Sequence, residues 1–382
     1  MLTHEQNKVS RDHANLIQRR DWLQGVSSVI AALVLSPASS WAAPASAASR
    51  LRINVSLNEN PFGPSPHVTQ ALRLELRALE RYTEDAARAL SRQIAKFEQV
   101  PDEQVILGEI LEPLGVQLGL QGGPGGEFLY SVPGYPALVD AARPVGGVGI
   151  PISLNSKLEN DLPAFHAKVS NRTRAVFLVN PHNPSGTVSD AGELKTSVAE
   201  LAKRALVIVD EAYLDYMEDL PRRTAVERVR AGDNVLVFRT FSKLHALAAL
   251  PLGYAIAPLK LAAELRRLGL GSAHSLNRLA VCAARASLDD SAFQSSVRAK
   301  VSLERARWHD ALDKLKLRHT DARASFIFFE SRLAQAEIAK ALGAEGIDIG
   351  RAFPPLLNWT RISIGLPAEN QRVQAALLTL FA

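Results

Sequence analysis

The stretch Asn234-Val-Leu-Val-Phe-Arg-Thr-Phe-Ser-Lys243 decides how this chain folds, because an apolar run stops shortly before a Ser-Lys pair. Residues 234–238 have the length and composition of a parallel strand buried on both faces. A lysine beside such a strand is costly if its ammonium is buried without a partner. A desolvated amine is, however, well suited to attack a carbonyl carbon. By itself the pattern leaves a solvated lysine and a catalytic lysine as open alternatives.

Two further apolar runs also end in polar motifs. Residues 174–179 lead into Asn180-Pro-His-Asn-Pro-Ser-Gly186, and residues 205–209 lead into Asp210-Glu-Ala-Tyr213. The prolines and the glycine of the first motif predict an unusual turn that presents Asn183 rigidly. The aspartate of the second motif either caps the following helix or pairs with a buried cation. Because open α/β sheets build their sites where strands end, the three motifs indicate one site.

The alternation of apolar runs with amphipathic stretches predicts an α/β fold. We expect an N-terminal segment at 49–73 that joins a small domain, a large domain at 74–268, and a small C-terminal α+β domain at 269–382. The pattern predicts further elements, listed here by residue number: strands at 105–107, 127–130, 325–330 and 359–364, helices over 66–99 with a break near 81–82 and over most of 259–315, and glycine-rich turns at 119–126.

The composition is that of an ordinary globular enzyme. The 382 residues are 47% hydrophobic and 22% charged. The net charge of +5 is spread along the chain without a basic run that contains aromatic residues, which argues against nucleic-acid binding. The single cysteine, Cys282, excludes an internal disulfide and a cysteine metal cluster. The histidines show no metal-ligand spacing, so no metal site is predicted.

Residues 1–48 have the order of a secretory signal. The pair Arg19-Arg20 precedes Trp22 and Leu23, and a mildly apolar stretch and a small-residue segment follow. The pattern resembles the twin-arginine export signal, which implies that the folded protein reaches the periplasm. The apolar stretch is too short to span a bilayer, so no stable membrane anchor is expected. The alternative is a chance arginine pair in a cytoplasmic protein.

In this order and spacing, the three motifs resemble those of the pyridoxal-phosphate aminotransferases of fold type I. The segments Leu57-Asn-Glu-Asn-Pro-Phe-Gly-Pro-Ser-Pro66 and Arg361-Ile-Ser-Ile-Gly365 are similar to the histidinol-phosphate aminotransferase branch, and the resemblance covers residues 52–380. It implies a mostly parallel sheet with helices on both faces, pyridoxal 5′-phosphate as the cofactor, and a homodimer. The implied reaction moves an amino group between an amino acid, or a histidinol-phosphate-like amine, and a 2-oxo acid.

The resemblance also implies roles for single residues. Lys243 would bind the cofactor as an imine and shuttle the proton, and Asp210 would keep the pyridine nitrogen protonated, which makes the ring an electron sink. Asn183 and Tyr213 would hydrogen-bond the 3′-oxygen of the ring, and Arg361 would clamp the substrate carboxylate. The remaining implied contacts are ring stacking by Tyr135, phosphate binding by Ser242 and Gly108, a phosphate contact to the neighbouring subunit by Tyr82, and a cover over the site that includes Asn60.

The sequence departs from this family where the family binds the phosphate. The family has a Gly/Ser-rich turn whose N–H groups cradle the phosphate, whereas only Gly108 remains here in a turn that looks shortened. Pro251 stands eight residues after Lys243, where the family has an arginine. The candidates to replace these contacts are Ser242, His245 and residues 122–126. Two alternative functions stay open: a pyridoxal-phosphate lyase, racemase or decarboxylase, and a periplasmic binding protein without turnover.

Overall fold

A sheet of seven strands forms the centre of the protein in a computed structural model, which describes residues 53–121 and 125–381. The strands in these ranges are β1 (Ile53–Val55), β2 (Val105–Leu107), β3 (Glu127–Val132), β4 (Val148–Ser153), β5 (Thr173–Val179), β6 (Leu206–Asp210), β7 (Val235–Thr240), β8 (Gly253–Ile256), β9 (Phe326–Glu330), β10 (Ile347–Ile349) and β11 (Trp359–Ser363). The large sheet has the order β2-β8-β7-β6-β5-β3-β4, and only β8 runs against the others. The predicted α/β class with a mostly parallel sheet is confirmed.

Helices cover both faces of the large sheet. Those in the described ranges are α1 (Pro66–Glu75), α2 (Glu84–Glu98), α3 (Leu111–Leu120), α4 (Ala137–Ala142), α5 (Leu162–Lys168), α6 (Ala191–Ala202), α7 (Leu220–Arg223), α8 (Val226–Arg230), α9 (Leu259–Arg267), α10 (Arg278–Asp289), α11 (Ser291–Lys314), α12 (Gln335–Ala344) and α13 (Pro367–Phe381). Several begin at a polar cap. Asp190, for example, accepts the N–H groups of Gly192 and Glu193 before α6, which pairs donors that a first turn leaves free.

Strand β5 shows how the sheet divides the core into two layers. Successive side chains of a strand point to opposite faces. Val176 and Leu178 pack into one core cluster, and Ala175 and Phe177 pack into the other. All four are at most 1% exposed. Because helices cover both faces, the strand is apolar throughout, and polar residues collect where it ends.

Helix α3 packs closely against α4 through two glycines. A Cβ atom on Gly115 would overlap the carbonyl oxygen of Leu138, and one on Gly119 would lie 2.6 Å from Cγ2 of Val145. The prediction of a glycine-rich turn from residue 119 is therefore wrong at its start, because Gly119 lies inside the helix. Because glycine is common in turns, the sequence does not show that these two glycines allow close helix packing. Residues 122–124 lie outside the described ranges.

Two small sheets complete the fold. Strand β9 pairs with β11 in antiparallel fashion, and β1 pairs with β10 in parallel fashion. A third core cluster lies beside them around Trp308 of α11, which is fully buried. The pairing of β1 places the chain that follows it near the end of β7. The side-chain amide of Asn60 donates to the carbonyl oxygen of Leu244 at 2.7 Å there.

Most of the predicted elements are confirmed. Every predicted strand is present, and its ends differ from the prediction by at most two residues. The helices at 66–99 and 259–315 are present as several separate helices, and the break near residue 81 lies between α1 and α2. The sequence pattern does not predict four strands: β1, β4, β8 and β10.

The structure does not test the predicted export signal, the predicted periplasmic location or the predicted domain boundaries. The predicted export signal at residues 1–48 lies outside the described residues, and periplasmic export stays a prediction. The domain boundaries at 73 and 268 also stay predictions. Within residues 53–121 and 125–381, no helix combines the length and the apolar character that crossing a membrane requires.

A buried ion-pair network joins the strands that carry the polar motifs. Arg239 on β7 is 1% exposed, and its Nη2 lies 2.9 Å from Oε2 of Glu211, which follows β6. Its Nη1 lies 3.1 Å from Oε1 of Glu98, at the end of α2. The same Glu98 oxygen accepts the hydroxyl of Tyr254 on β8 at 2.7 Å. One guanidinium therefore connects β6, β7, β8 and α2.

We expect Arg239→Met to lower the free energy of unfolding by about 3–5 kcal/mol, because it leaves buried carboxylates without their cation. Urea denaturation of the purified protein would measure this change. The matched control is Arg88→Met, which removes an exposed pair with Asp85 (65% and 96% side-chain exposure). The control is expected to leave the free energy of unfolding unchanged within the error of the measurement, because solvent screens an exposed pair. Equal effects of the two substitutions would show that the network does not stabilise the fold.

Candidate active site

The three polar motifs lie side by side at one edge of the large sheet. Strand β5 leads into the turn that holds Asn183, β6 ends at Asp210, and β7 is followed by Ser242 and Lys243. Parallel strands end at the same edge, which is where ligands of α/β sheets bind. These four residues line a common cavity of about 420 Å³. The cavity is therefore the candidate active site.

Lys243 reaches into this cavity from the end of β7. Its Nζ donates a hydrogen bond to the carbonyl oxygen of Leu57 at 3.2 Å. Nζ also lies 5.8 Å from the centre of the Tyr213 ring. Lys243 forms no ion pair with a carboxylate within the described residues. The amine is held by a weak, replaceable contact, as a nucleophile requires.

Asp210 is buried at the bottom of the cavity, with 2% exposure. Its Oδ1 accepts the backbone N–H of Ala212 at 2.9 Å. Burial raises the pKa of this carboxyl to about 7, and the Glu109 carboxylate adds to the rise, whereas the Ala212 N–H and the Lys243 ammonium oppose it. Asp210 forms no ion pair in the part of the chain that the structure describes. A buried carboxylate of this kind is available to a cationic group of a ligand.

Arg361 on β11 lines the cavity beside Asn183. Its Nη1 donates to Oδ1 of Asn183 at 2.7 Å, and its Nη2 donates to the carbonyl oxygen of Ser56 at 2.7 Å. The guanidinium lies 5.0 Å from the ring centre of Phe353 and 5.5 Å from that of Phe326. No described residue pairs with its charge. These contacts orient a guanidinium that can still bind a carboxylate.

Two tyrosines contribute aromatic walls. The hydroxyl of Tyr213 accepts the side-chain N–H of Asn58 at 2.9 Å. Tyr135 is 42% exposed, and its ring is available to a flat ligand. Burial raises the pKa of Tyr135 to about 12, with a further contribution from Asp210. The Tyr135 hydroxyl therefore stays protonated at neutral pH.

Several predicted residues do not line the cavity. Asn60 instead anchors its segment to Leu244. Gly108 forms a turn beside the cavity, with φ +125° and its N–H bonded to the carbonyl oxygen of Gly253. Tyr82 lies on the surface with 80% exposure and packs against His274. His245 is buried and bonded to Ser287 at 2.7 Å, which makes it a core residue rather than a phosphate ligand.

Among the lining residues that the sequence prediction misses, four carry a charged or amide side chain: Asn58, Glu109, Glu112 and Arg351. Asn58 belongs to the same Leu-Asn-Glu-Asn motif as the predicted Asn60, so the motif indicates the segment but not which asparagine faces the ligand. Glu109 lies in the turn after β2, where the sequence analysis considers only the glycine, and Glu112 lies in the first turn of α3. Arg351 lies in the turn after β10, a strand that the pattern does not predict.

The cavity suits a flat ring that carries a basic nitrogen and a carbonyl carbon. Asp210 provides a buried carboxylate for the protonated nitrogen, Lys243 provides an amine for the carbonyl carbon, and Tyr135 provides an aromatic wall. Pyridoxal phosphate has these features, so the ring end of the site fits this cofactor. Within the described ranges, no group of His, Cys, Asp and Glu is arranged to hold a metal ion.

Comparison with known proteins identifies the family. The family described as aminotransferase class I and II matches residues 52–377. The chain belongs to the class I and II aminotransferases. This aminotransferase is 32% identical to the histidinol-phosphate aminotransferase of Limosilactobacillus fermentum over 329 residues, which cover 85% of this chain and 89% of that protein. It is 33% identical over 333 residues to histidinol-phosphate aminotransferase 2 of Pseudomonas aeruginosa, with 85% and 88% covered.

A solved structure extends the comparison. The histidinol-phosphate aminotransferase of Sinorhizobium meliloti, in complex with pyridoxal-5′-phosphate, matches this aminotransferase with a TM-score of 0.78 and 25% identity, covering 86% of this chain and 90% of that chain. The predictions of an aminotransferase, of the fold type I architecture and of pyridoxal phosphate as the cofactor are confirmed. The roles of single residues are a separate question, which the geometry of the cavity addresses.

The pKa of Asp210 predicts how the stability of the cofactor-free aminotransferase depends on pH. Between the ordinary pKa of 3.8 and about 7, the folded protein keeps a proton that the unfolded chain releases. The carboxyl therefore destabilises the fold increasingly as pH rises through this range. We expect Asp210→Asn to raise the free energy of unfolding at pH 8 by about 2–4 kcal/mol.

Urea denaturation at pH 5 and pH 8 checks this prediction. The gain from Asp210→Asn should be smaller at pH 5, where the native carboxyl is mostly protonated. A gain that does not depend on pH would contradict the raised pKa. Glu218→Asn, at an exposed position outside the cavity, is the control and is expected to show no such pH dependence.

Proposed function

We propose that this protein transfers an amino group between an amino acid, or a histidinol-phosphate-like amine, and a 2-oxo acid at the Lys243 cavity. The observation that carries the proposal is the joint placement of an unpaired amine, Lys243, and an unpaired buried carboxylate, Asp210, in one cavity. The family provides the cofactor that uses both groups. The guanidinium of Arg361, which has no ion-pair partner within the described residues, provides for a substrate carboxylate.

When bound, pyridoxal phosphate supplies a carbonyl carbon and an electron-withdrawing ring. Asp210 would pair with the ring nitrogen and keep it protonated. Asn183 and Tyr213 would hydrogen-bond the ring oxygen, and Tyr135 would cover one face of the ring. Lys243 Nζ would bind the aldehyde carbon of the cofactor. Once freed by the substrate amine, Nζ would take the proton from the substrate α-carbon and deliver it to the former aldehyde carbon of the cofactor.

The substrate end of the cavity has two guanidinium groups. Arg361 is oriented by Asn183 and Ser56. Arg351 is exposed, and its guanidinium lies 4.7 Å from the ring centre of Phe353. Arg361 would bind the α-carboxylate through two parallel hydrogen bonds. Arg351 would favour a second anionic group on the substrate, such as a carboxylate or a phosphate ester.

Two further features of the proposal concern assembly and location. Tyr82 lies on the surface outside the cavity, which is compatible with a role in the site of a neighbouring subunit. A homodimer with shared sites is therefore part of the proposal. The export signal proposed for residues 1–48 would place the enzyme in the periplasm, away from cytoplasmic biosynthetic intermediates. We therefore propose an amino donor other than a cytoplasmic precursor.

A test of the reaction type uses the amino acceptor. A transaminase consumes an amino acid only when a 2-oxo acid such as 2-oxoglutarate is present, whereas a lyase, racemase or decarboxylase acts without it. A binding protein without turnover would take up the cofactor and change neither compound. Amino acid analysis of single and paired substrates distinguishes the three functions.

We expect Lys243→Ala to abolish the visible absorbance band of the cofactor-loaded protein, because the band requires the covalent bond to Nζ. Turnover should fall by about 10²–10⁴-fold, since the general base is lost. Absorbance spectra before and after borohydride treatment, together with initial rates, measure both effects. Lys260→Ala removes an exposed lysine on α9 and should retain band and rate. Transamination by Lys243→Ala near the parent rate would disprove the assignment.

We expect Arg361→Lys to raise KM for the amino acid substrate by roughly 10–100-fold, because an ammonium cannot form the paired hydrogen bonds to a carboxylate. The effect on kcat should be smaller. Steady-state kinetics on the substrate found above measures both constants. Arg372→Lys, at an exposed site on α13, is the matched control. A collapse of kcat with KM unchanged would show that Arg361 does not serve substrate binding.

A further inference from the structure

The residues that line the cavity follow the order of the strands across the sheet. Asn183 follows β5, Asp210 ends β6, and Lys243 follows β7. Beyond β7 come β8 and β2, which are joined at this edge by the bond from the Gly108 N–H to the carbonyl oxygen of Gly253 at 2.8 Å. Beside these two strands, the lining includes Glu109 in the turn after β2, Glu112 in the first turn of α3, and Pro251 just before β8.

The chemistry of the ring decides which side of the cavity the phosphate occupies. On a pyridoxal ring, the ring nitrogen lies opposite the carbon that bears the aldehyde, and the 3-oxygen and the phosphate arm flank that carbon on opposite sides. If Asp210 binds the nitrogen and Asn183 lies at the oxygen, the phosphate arm points toward β8 and β2. This step rests on the proposed function.

The side toward β8 and β2 carries negative rather than positive charge. Glu109 and Glu112 line it, and Lys243 is the lining cation whose charge acts on Glu109. Loss of surrounding water raises the pKa of the Glu109 carboxyl, and the Glu112 carboxylate raises it further, although Lys243 opposes both. Arg361 bonds Asn183, and the guanidinium of Arg351 packs on Phe353, a ring that Arg361 also contacts, so both lining guanidinium groups lie toward Asn183.

Backbone N–H groups at the start of α3 offset little of this negative charge. Helix α3 begins at Leu111 after Ile110, which has no side-chain cap. A helix N-terminus attracts anions through its free N–H groups, but Pro113 in the first turn has no N–H. The carboxylate of Glu112 also lies in that first turn, where it offsets the positive end of the helix.

We propose that Glu109 and Glu112 make this end of the site discriminate against a phosphate dianion, so that the unphosphorylated aldehyde pyridoxal binds about as well as pyridoxal phosphate. Carboxylates accept hydrogen bonds from the neutral hydroxymethyl arm of pyridoxal. A phosphate dianion presents acceptors only, and it meets two like charges there. Because this end does not favour the phosphate, the contacts to the ring supply most of the binding free energy.

Binding titrations of the cofactor-free protein test this proposal without measuring turnover. Pyridoxal phosphate and pyridoxal are titrated separately and followed by absorbance of the lysine-bound cofactor. The two dissociation constants should differ by less than about tenfold, because one unit charge at a partly exposed site changes binding by about that factor. The double variant Glu109→Gln/Glu112→Gln should bind pyridoxal phosphate at least about tenfold more tightly and should not bind pyridoxal more tightly.

Two further variants sharpen the experiment. Glu103→Gln/Glu218→Gln removes the same charge at exposed positions outside the cavity and should change neither constant. Pro251→Arg adds a guanidinium on the phosphate side and should tighten the binding of pyridoxal phosphate alone. Both selective gains should shrink at high ionic strength, because salt screens charges at partly exposed positions.

The outcomes separate this proposal from the proposed function. Preference of the parent protein for pyridoxal phosphate by more than about tenfold would overturn it, since a repelled dianion allows no such preference. Equal gains for both ligands in the double variant would overturn it as well. Binding of both ligands without transamination would contradict the proposed function and leave this inference standing. Binding of neither would overturn both.

Discussion

The buried pair of Arg239 and Glu211 is the interaction on which the site depends. Glu211 directly follows Asp210, and Arg239 precedes Lys243 by four residues, so the pair joins the two strand ends that carry the catalytic groups. Burying a cation and a carboxylate together costs solvation that their mutual attraction has to offset, and losing one partner costs about 3–5 kcal/mol. Strands β6 and β7 therefore cannot shift against each other without breaking the pair. The positions of the amine and the carboxylate are set by the core rather than by the ligand.

The rigid centre contrasts with the two ends of the cavity, which are built from turns and from the segment after β1. On one side, Arg361 is oriented by Asn183 and by the carbonyl oxygen of Ser56. On the other side, Glu109 occupies the turn that follows β2. The charge of the cavity thus changes sign from the guanidinium side to the carboxylate side. Such a gradient orients a ligand before any covalent bond forms, because a carboxylate is attracted at one end only.

Strands that are apolar on both faces could be predicted from the sequence, because burial dictates their composition. The same holds for Asp210 and Lys243, whose place at strand ends follows from the pattern. The remaining features depend on contacts that are distant along the chain. Strand β8 follows a small-residue stretch without a distinctive pattern, and only its pairing with β2 and β7 makes it a strand. The Leu-Asn-Glu-Asn motif does not show that Asn58 rather than Asn60 faces the cavity, since that depends on the φ of 56° at Asn58.

The sizes of two electrostatic free energies, at Asp210 and at the two glutamates, show which end of the cavity dominates the binding of the ring. Raising the pKa of Asp210 from 3.8 to about 7 corresponds to about 4 kcal/mol of unfavourable free energy in the ionised, ligand-free site. A protonated ring nitrogen relieves this penalty when it binds beside the carboxylate. Glu109 and Glu112 act at partly exposed positions, where solvent and salt reduce a like-charge repulsion to about 1 kcal/mol. The attraction at the buried carboxylate exceeds the repulsion at the rim, so a pocket without a phosphate clamp can still hold the ring.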